Sequence, residues 1–164
     1  MDFTSLLEAL KETPFATALR EADTLFPWTE SIHVLSITIV VGVISIVDLR
    51  LMGVIAHKKE IRSLLSQVLP LTWGAFVVAA ITGSLMFSTN PIGYVDNWPF
   101  RIKIGLLVLA AANVAVFHLI TSRKLHLWDA GQPTPPAARL AGATSLGLWI
   151  AIVFFGRFIG FTLV

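Results

Sequence analysis

Seven ionisable side chains sit inside otherwise apolar stretches: Glu30, His33, Asp48, Arg50, Lys103, His118 and Arg157. Such groups are costly to hold in a hydrocarbon-facing segment and mark function by default. An imidazole titrates near neutrality and ligates iron or another metal through one ring nitrogen, so His33 and His118 are the candidate ligands. A Lys or Arg beside either could hold the carboxylates of a prosthetic group. At about 1.5 Å rise per helical residue, His33 and Lys103 each fall about one turn below the outer end of their helix. Arg157, about 25 Å along a helix that starts inside, returns to that level. Glu30, three residues before His33, occupies a neighbouring face, which completes an expected outer cluster of Glu30, His33, Lys103 and Arg157. Asp48, Arg50 and His118 belong to the opposite end. The steps from His33 to Asp48 and from Lys103 to His118 are each fifteen residues, about 60° from eclipse, so each pair shares a broad helix face. Two sites about 20 Å apart follow, too far for His33 and His118 of one chain to grasp the same iron.

Helices are the only elements that can place these groups so. Of the 164 residues, 55% are hydrophobic and 13% charged, against roughly 25% charged in a soluble domain, so a bilayer is the solvent that fits. A span needs about 20 mostly apolar residues, and the chain offers four, at about 30–55, 64–88, 99–122 and 140–164. The expected fold is an all-α integral membrane four-helix bundle, preceded by an amphipathic segment over residues 1–29. Arg50, Lys58, Lys59 and Arg62 surround the first loop, and Arg123, Lys124 and Arg139 the third. Cations favour the cytoplasmic side, which leaves both termini on the outer, periplasmic face of a bacterial inner membrane. His57 and His126, in the two basic loops, read as solvated.

Ahead of the first span, FTSLLEALKE and TPFATALREA read as two short amphipathic helices broken at Pro14, with Leu6, Leu7 and Leu10, then Phe15, Ala18 and Leu19, lying on the bilayer or against the bundle. Trp28 and Trp98 mark the outer interface and Trp128 the inner one. TNPIGYVDNW and QPTPPAA read as loops. Ala75, Ala79 and Gly83 recur every four residues, which admits a close neighbouring backbone; packing within the chain is favoured over a subunit interface, and a homo-oligomer is expected from the small size of the bundle.

The stretches LFPWTESIHVLSITIVVGVISIVDLRLMG, PFRIKIGLLVLAAANVAVFH and SLGLWIAIVFFGRFIGF, with TPFATALREADTLFPW ahead of them, resemble a bacterial family of small, uncharacterised four-transmembrane-helix proteins over nearly the whole chain. The residues that carry the resemblance include Glu30, His33, Asp48, Arg50, Lys103, Asn113, His118, Trp149 and Arg157. Ser36 stands where that pattern has Gly. The resemblance implies a topology and nominates residues without naming a reaction.

Absence of cysteine excludes disulfides, thiolate metal sites, iron–sulfur clusters and covalent haem. No HExxH and no glycine-rich phosphate loop occurs, a Ser/His/Asp triad has no base at the right depth, and a net charge of +2 is too small for nucleic-acid binding; no catalytic residue is assigned. The leading expectation is a b-type haem membrane protein that passes electrons, with a quinone or outer-face redox partner. His33 with Lys103 and Arg157, or His118 with Arg50, would hold the group. One membrane histidine per level leaves the second axial position to water, another side chain or a second subunit. The first alternative is a small transporter or proton or ion conductor, with Glu30, His33, Asp48 and Asn113 as a polar line. The second is a structural or accessory subunit in which the same charges form salt bridges such as Asp48 to Arg50. For Arg50, Lys103 and Arg157 singly, interfacial anchoring is an equal reading.

Overall fold

The computed structural model describes residues 2–55, 61–121 and 133–163; the expectations placed on His57, Lys58, Lys59, Arg123, Lys124, His126 and Trp128 lie outside them. Two short helices, α1 (Phe3–Lys11) and α2 (Pro14–Glu21), precede the long α3 (Leu25–Leu51) and α4 (Ile61–Thr89). A six-residue α5 (Pro91–Asp96) leads into α6 (Trp98–Val116), which ends in a π-helical turn over Phe117–Thr121, and α7 (Pro136–Thr162) closes the chain. No strand occurs among the described residues. The four long helices are apolar and long enough to cross a membrane, with mean hydropathy between 1.7 and 2.3. Less than a quarter of each apolar window is buried inside the protein. Helices apolar all round and yet uncovered need a nonaqueous surrounding, which makes this a multi-pass membrane chain by length and composition.

The local chemistry explains the boundaries. Asp2 caps α1 by accepting from the Phe3 amide at 2.7 Å, and Thr13 caps α2 by accepting from Ala16 at 3.3 Å, with Pro14 at the first helical position, where its missing N–H costs nothing. Helix α3 stops at Gly53, whose φ of 79° suits a left-handed terminator, and Val54 N–H reaches back to the Leu49 carbonyl at 2.9 Å, a Schellman closure. The stretch TNPIGYVDNW is not a plain loop. Asn90 caps α5 through Gly93 N–H at 3.2 Å and Asn97 caps α6 through Phe100 N–H at 3.1 Å, each with Pro in the first turn that follows. The Asn97 amide also donates to Thr162 Oγ1 at 2.9 Å, tying the start of α6 to the end of α7. QPTPPAA ends as loop at Pro135, since Pro136 opens α7 one turn earlier than expected.

The long helices form a curved row in the order α4, α3, α7, α6. Helix α3 packs most extensively on α4 and α6 on α7, and α3 against α7 joins the two pairs. Helix–helix attraction in lipid comes from close van der Waals contact. Accordingly Ala75 and Ala79 are buried and Gly83 faces the His33 ring, so the small-residue stripe of α4 serves α3 of the same chain. At mid-depth Val40, Ala75, Ala110, Trp149 and Ile152 bring all four helices together. A second layer, where α3 ends and α4 begins, joins Leu51, Ile61, Phe117 and Ala138. Helix α2 buries Ala16 and Leu19, while Phe3, Leu6 and Phe15 stay exposed, an apolar face suited to the membrane surface.

Candidate functional site

Between the two core layers the row of helices does not close. The first half of α4 and the second half of α6 stand apart around a cleft of ≈ 580 Å³. Its mouth is walled by Trp73 and Phe76 on α4 and by Ala111, Val114 and His118 on α6, all exposed to the surroundings of the bundle. Its floor is made by α3 and α7, which contribute Asp48, Ser145 and Trp149, with Asn113 of α6 beside them.

The floor is polar for reasons visible in α7. Residues 138, 142, 145, 149, 152 and 159 are its buried set, a three-and-four repeat that turns one seam toward α3. Gly142 allows the approach: a Cβ there would lie 2.9 Å from the Asp48 carbonyl oxygen and 3.0 Å from Leu51 Cβ. With the backbones this close, Asp48 is only 4% exposed and the Ser145 side chain comes within hydrogen-bonding range of its carboxyl group. Asp48 Oδ2 and Trp149 Nε1 are both buried without a hydrogen-bond partner among the described residues. Asn113 donates to the Ala141 carbonyl at 3.0 Å, which fixes its amide at the edge of the same floor. Arg50 does not reach this carboxylate: only 2% exposed, it donates to Thr134 Oγ1 at 3.4 Å.

His118 sits on the rim. The π turn that begins at Phe117 is a feature often found at functional positions. The His118 Nδ1 donates to the Val114 carbonyl at 3.0 Å, and its ring stands edge-on to Phe117 at 5.7 Å. It therefore shares a cleft with Asp48, and among the described residues the lining holds no Lys or Arg.

At the other end of the bundle, in the first half of α3, His33 turns into α4. Its Nδ1 lies 2.9 Å from the Ala79 carbonyl oxygen and 3.0 Å from Thr82 Oγ1. The Thr82 hydroxyl donates to Val78 at 2.7 Å, so the ring N–H is the donor to both, and Nε2 keeps its lone pair in the neutral imidazole. Lys103 lies close enough for its charge to act on His33, its chain passing over Gly156, where a Cβ would be 3.7 Å from its Cδ and Cε. It makes no hydrogen bond or ion pair among the described residues. Glu30 acts electrostatically on Tyr94 of α5. Burial, and then the Glu30 carboxylate, hold the Tyr94 phenol above its ordinary range; this ring packs with Phe87 and Phe100 at 5.9 and 5.3 Å.

Thus Glu30, His33 and Lys103 gather at the end of the bundle where α3 and α6 begin, with Tyr94, which was not among the expected site residues. Arg157 does not join them. It is exposed with its guanidinium 5.4 Å from the Phe161 ring centroid, because Gly156 faces Lys103 and the next residue is turned about 100° away. Asp48 and His118 line one cleft, and Arg50 is not among its described lining residues. Ser145 and Trp149 were not singled out as a site, although the repeat of small and polar residues along α7 carried the signal. Among the described residues no group of three His, Cys, Asp or Glu side chains is placed to hold a metal ion. No family model, curated protein or solved structure matches this chain.

Proposed function

We propose that this is a multi-pass protein of a bacterial inner membrane that binds a lipid-soluble small molecule in the cleft between α4 and α6, entered sideways from the cytoplasmic leaflet. Both termini lie outside, as the cations around the first and third loops favour. One observation carries the reading: Asp48 Oδ2 and Trp149 Nε1 are buried without partners at the floor of an otherwise apolar cleft. A buried polar group left unpaired costs about 1–3 kcal/mol, and hydrocarbon offers nothing to pair it with. Two such groups just beneath the floor of an opening to lipid support a ligand site there, where a small turn of either side chain on binding would give it a partner.

The test uses contact quenching. In a variant whose other tryptophans are replaced by Phe, Trp149 at 8% exposure is shielded from bulk lipid. A brominated alkyl compound that enters the cleft quenches its fluorescence, and Ala111→Phe, which narrows the mouth, abolishes the quenching. Equal quenching with the mouth narrowed, or none in either protein, refutes the proposal.

A second reading is supported at the outer level, where the Nδ1 contact to Ala79 fixes the His33 tautomer that leaves Nε2 available, the arrangement of imidazoles that ligate metals. There His33 would hold a b-type haem for electron transfer, with Lys103 toward a propionate. A Soret band in native protein, lost in His33→Ala and kept in His118→Ala, is the expected result; its absence from protein purified without added haem rejects this reading.

A further inference from the structure

We propose that Lys103 is the centre of a phosphate site at the end of the bundle where α3 and α6 begin, taking its phosphate from a phospholipid headgroup or from solution. The site is separate from the cleft and gives Lys103 a different occupant from the haem carboxylate considered above. Direction comes first. Lys103 belongs to α6, yet its half-buried stem lies on α7 at Gly156, where a Cβ would stand 3.7 Å from its Cδ and Cε and 3.8 Å from its Nζ. Its charge is felt by His33 of α3. The ammonium is therefore aimed across α7 toward a third helix, whereas the ammonium of a simple interfacial anchor points away from the bundle.

A cation withdrawn from water needs a counter-charge, and the described part of the chain supplies none. Lys103 makes no hydrogen bond or ion pair among the described residues. Glu30 of α3 acts on Tyr94, and Asp96 of α5 pairs with Arg101 at 3.9 Å. His33 brings no negative charge, since its Nδ1–H is held by the Ala79 carbonyl and Thr82 Oγ1 and the ring is neutral at best. The missing partner is an anion from outside the chain. Depth selects phosphate among anions. Lys103 is five residues, about 7.5 Å, along α6 from Trp98, whose exposed ring suits the boundary between membrane and water. Phosphate is the anion that a phospholipid holds at that boundary, and a lysine binds it as a point charge. Access is open on this side, because α1 and α2 pack against α3, α4 and α5 and leave the α6–α7 side of this end uncovered among the described residues.

The full chain, labelled with ¹³C at lysine Cε and held in an uncharged detergent after removal of phospholipid, gives one signal for each of its five lysines. Lys103→Arg, which keeps the charge, identifies the Lys103 signal. Inorganic phosphate and a short-chain phosphatidylglycerol are titrated separately, with chloride at equal ionic strength as comparison. The Lys103 signal should shift and saturate with at least one of the two phosphates, at a concentration at least tenfold below that needed with chloride. Saturation by phosphatidylglycerol alone makes a lipid headgroup the source, and saturation by inorganic phosphate makes the site open to the solute. Gly156→Asp, which sets a carboxylate beside the ammonium, should raise the half-saturating concentration at least tenfold. A Lys103 signal that answers phosphate, lipid and chloride alike, or none of them, overturns the proposal. That comparison is made on the unsubstituted chain and decides the matter even where Gly156→Asp fails to fold.

Discussion

A single imidazole separates the two polar levels of this protein. His33 bridges α3 to the Ala79 carbonyl and the Thr82 hydroxyl, whereas His118 bonds the carbonyl of Val114 in its own helix and is exposed. Interhelical hydrogen bonds in membranes are worth on the order of 1 kcal/mol. His33→Ala should therefore lower unfolding stability in detergent by about that amount, as equilibrium unfolding would measure. Tyr94 offers a pH-dependent counterpart, because it is the chain's one tyrosine and its phenol is held above the usual range by burial and by Glu30. A group whose folded value is raised favours folding below its unfolded value, near 10, and that contribution disappears as pH rises through the folded value. Stability should fall at alkaline pH above about 10, and the tyrosinate absorbance should rise at a higher pH in folded than in unfolded protein. Glu30→Gln should bring the folded midpoint part of the way back.

Helix packing here is decided by where a methyl group can be tolerated. At Gly142 a Cβ would meet the Asp48 carbonyl oxygen at 2.9 Å, while at Gly147, five residues on, nothing lies within 4 Å. Gly142→Ala should force α3 and α7 apart, cost about 1–3 kcal/mol and weaken ligand binding by displacing Asp48. Gly147→Ala should be neutral or stabilising by up to about 1 kcal/mol, since Ala is the better helix former. Comparing both variants by thermal unfolding and by probe binding in the cleft separates packing from site geometry. The same helices show what a sequence carries. Length and hydropathy locate the four spans to within a few residues, because a bilayer imposes both. The caps at Asn90 and Asn97, each followed by Pro within two residues, held the signal for α5 that a reading of TNPIGYVDNW as loop passed over. Arg157, expected in the cluster with Lys103, is exposed beside Phe161, since one residue is about 100° of rotation and Gly156 is the residue of α7 that meets Lys103.

At the scale of the molecule the order α4, α3, α7, α6 was not legible, because in lipid neighbours are chosen by fit between small side chains on different helices and not by an apolar stripe that one helix displays alone. That order leaves the cleft on one side of the bundle, between α4 and α6 and toward the end where α3 finishes and α4 begins. Which leaflet feeds it therefore depends on which way the chain crosses the membrane. The chain has no cysteine, so introduced thiols report without background. Ser5 in α1 and Asp96 at the end of α5 are exposed at one end, and Ser63 in the first turn of α4 is exposed at the other. In spheroplasts, Ser5→Cys and Asp96→Cys should react with a membrane-impermeant maleimide, while Ser63→Cys should react only after the membrane is permeabilised. The reverse pattern would put the basic loops outside and make the cleft a site for molecules of the outer leaflet. Labelling of all three in intact spheroplasts would break the four-span topology itself, and with it the argument that the cleft over Asp48 and Trp149 opens to lipid and not to water.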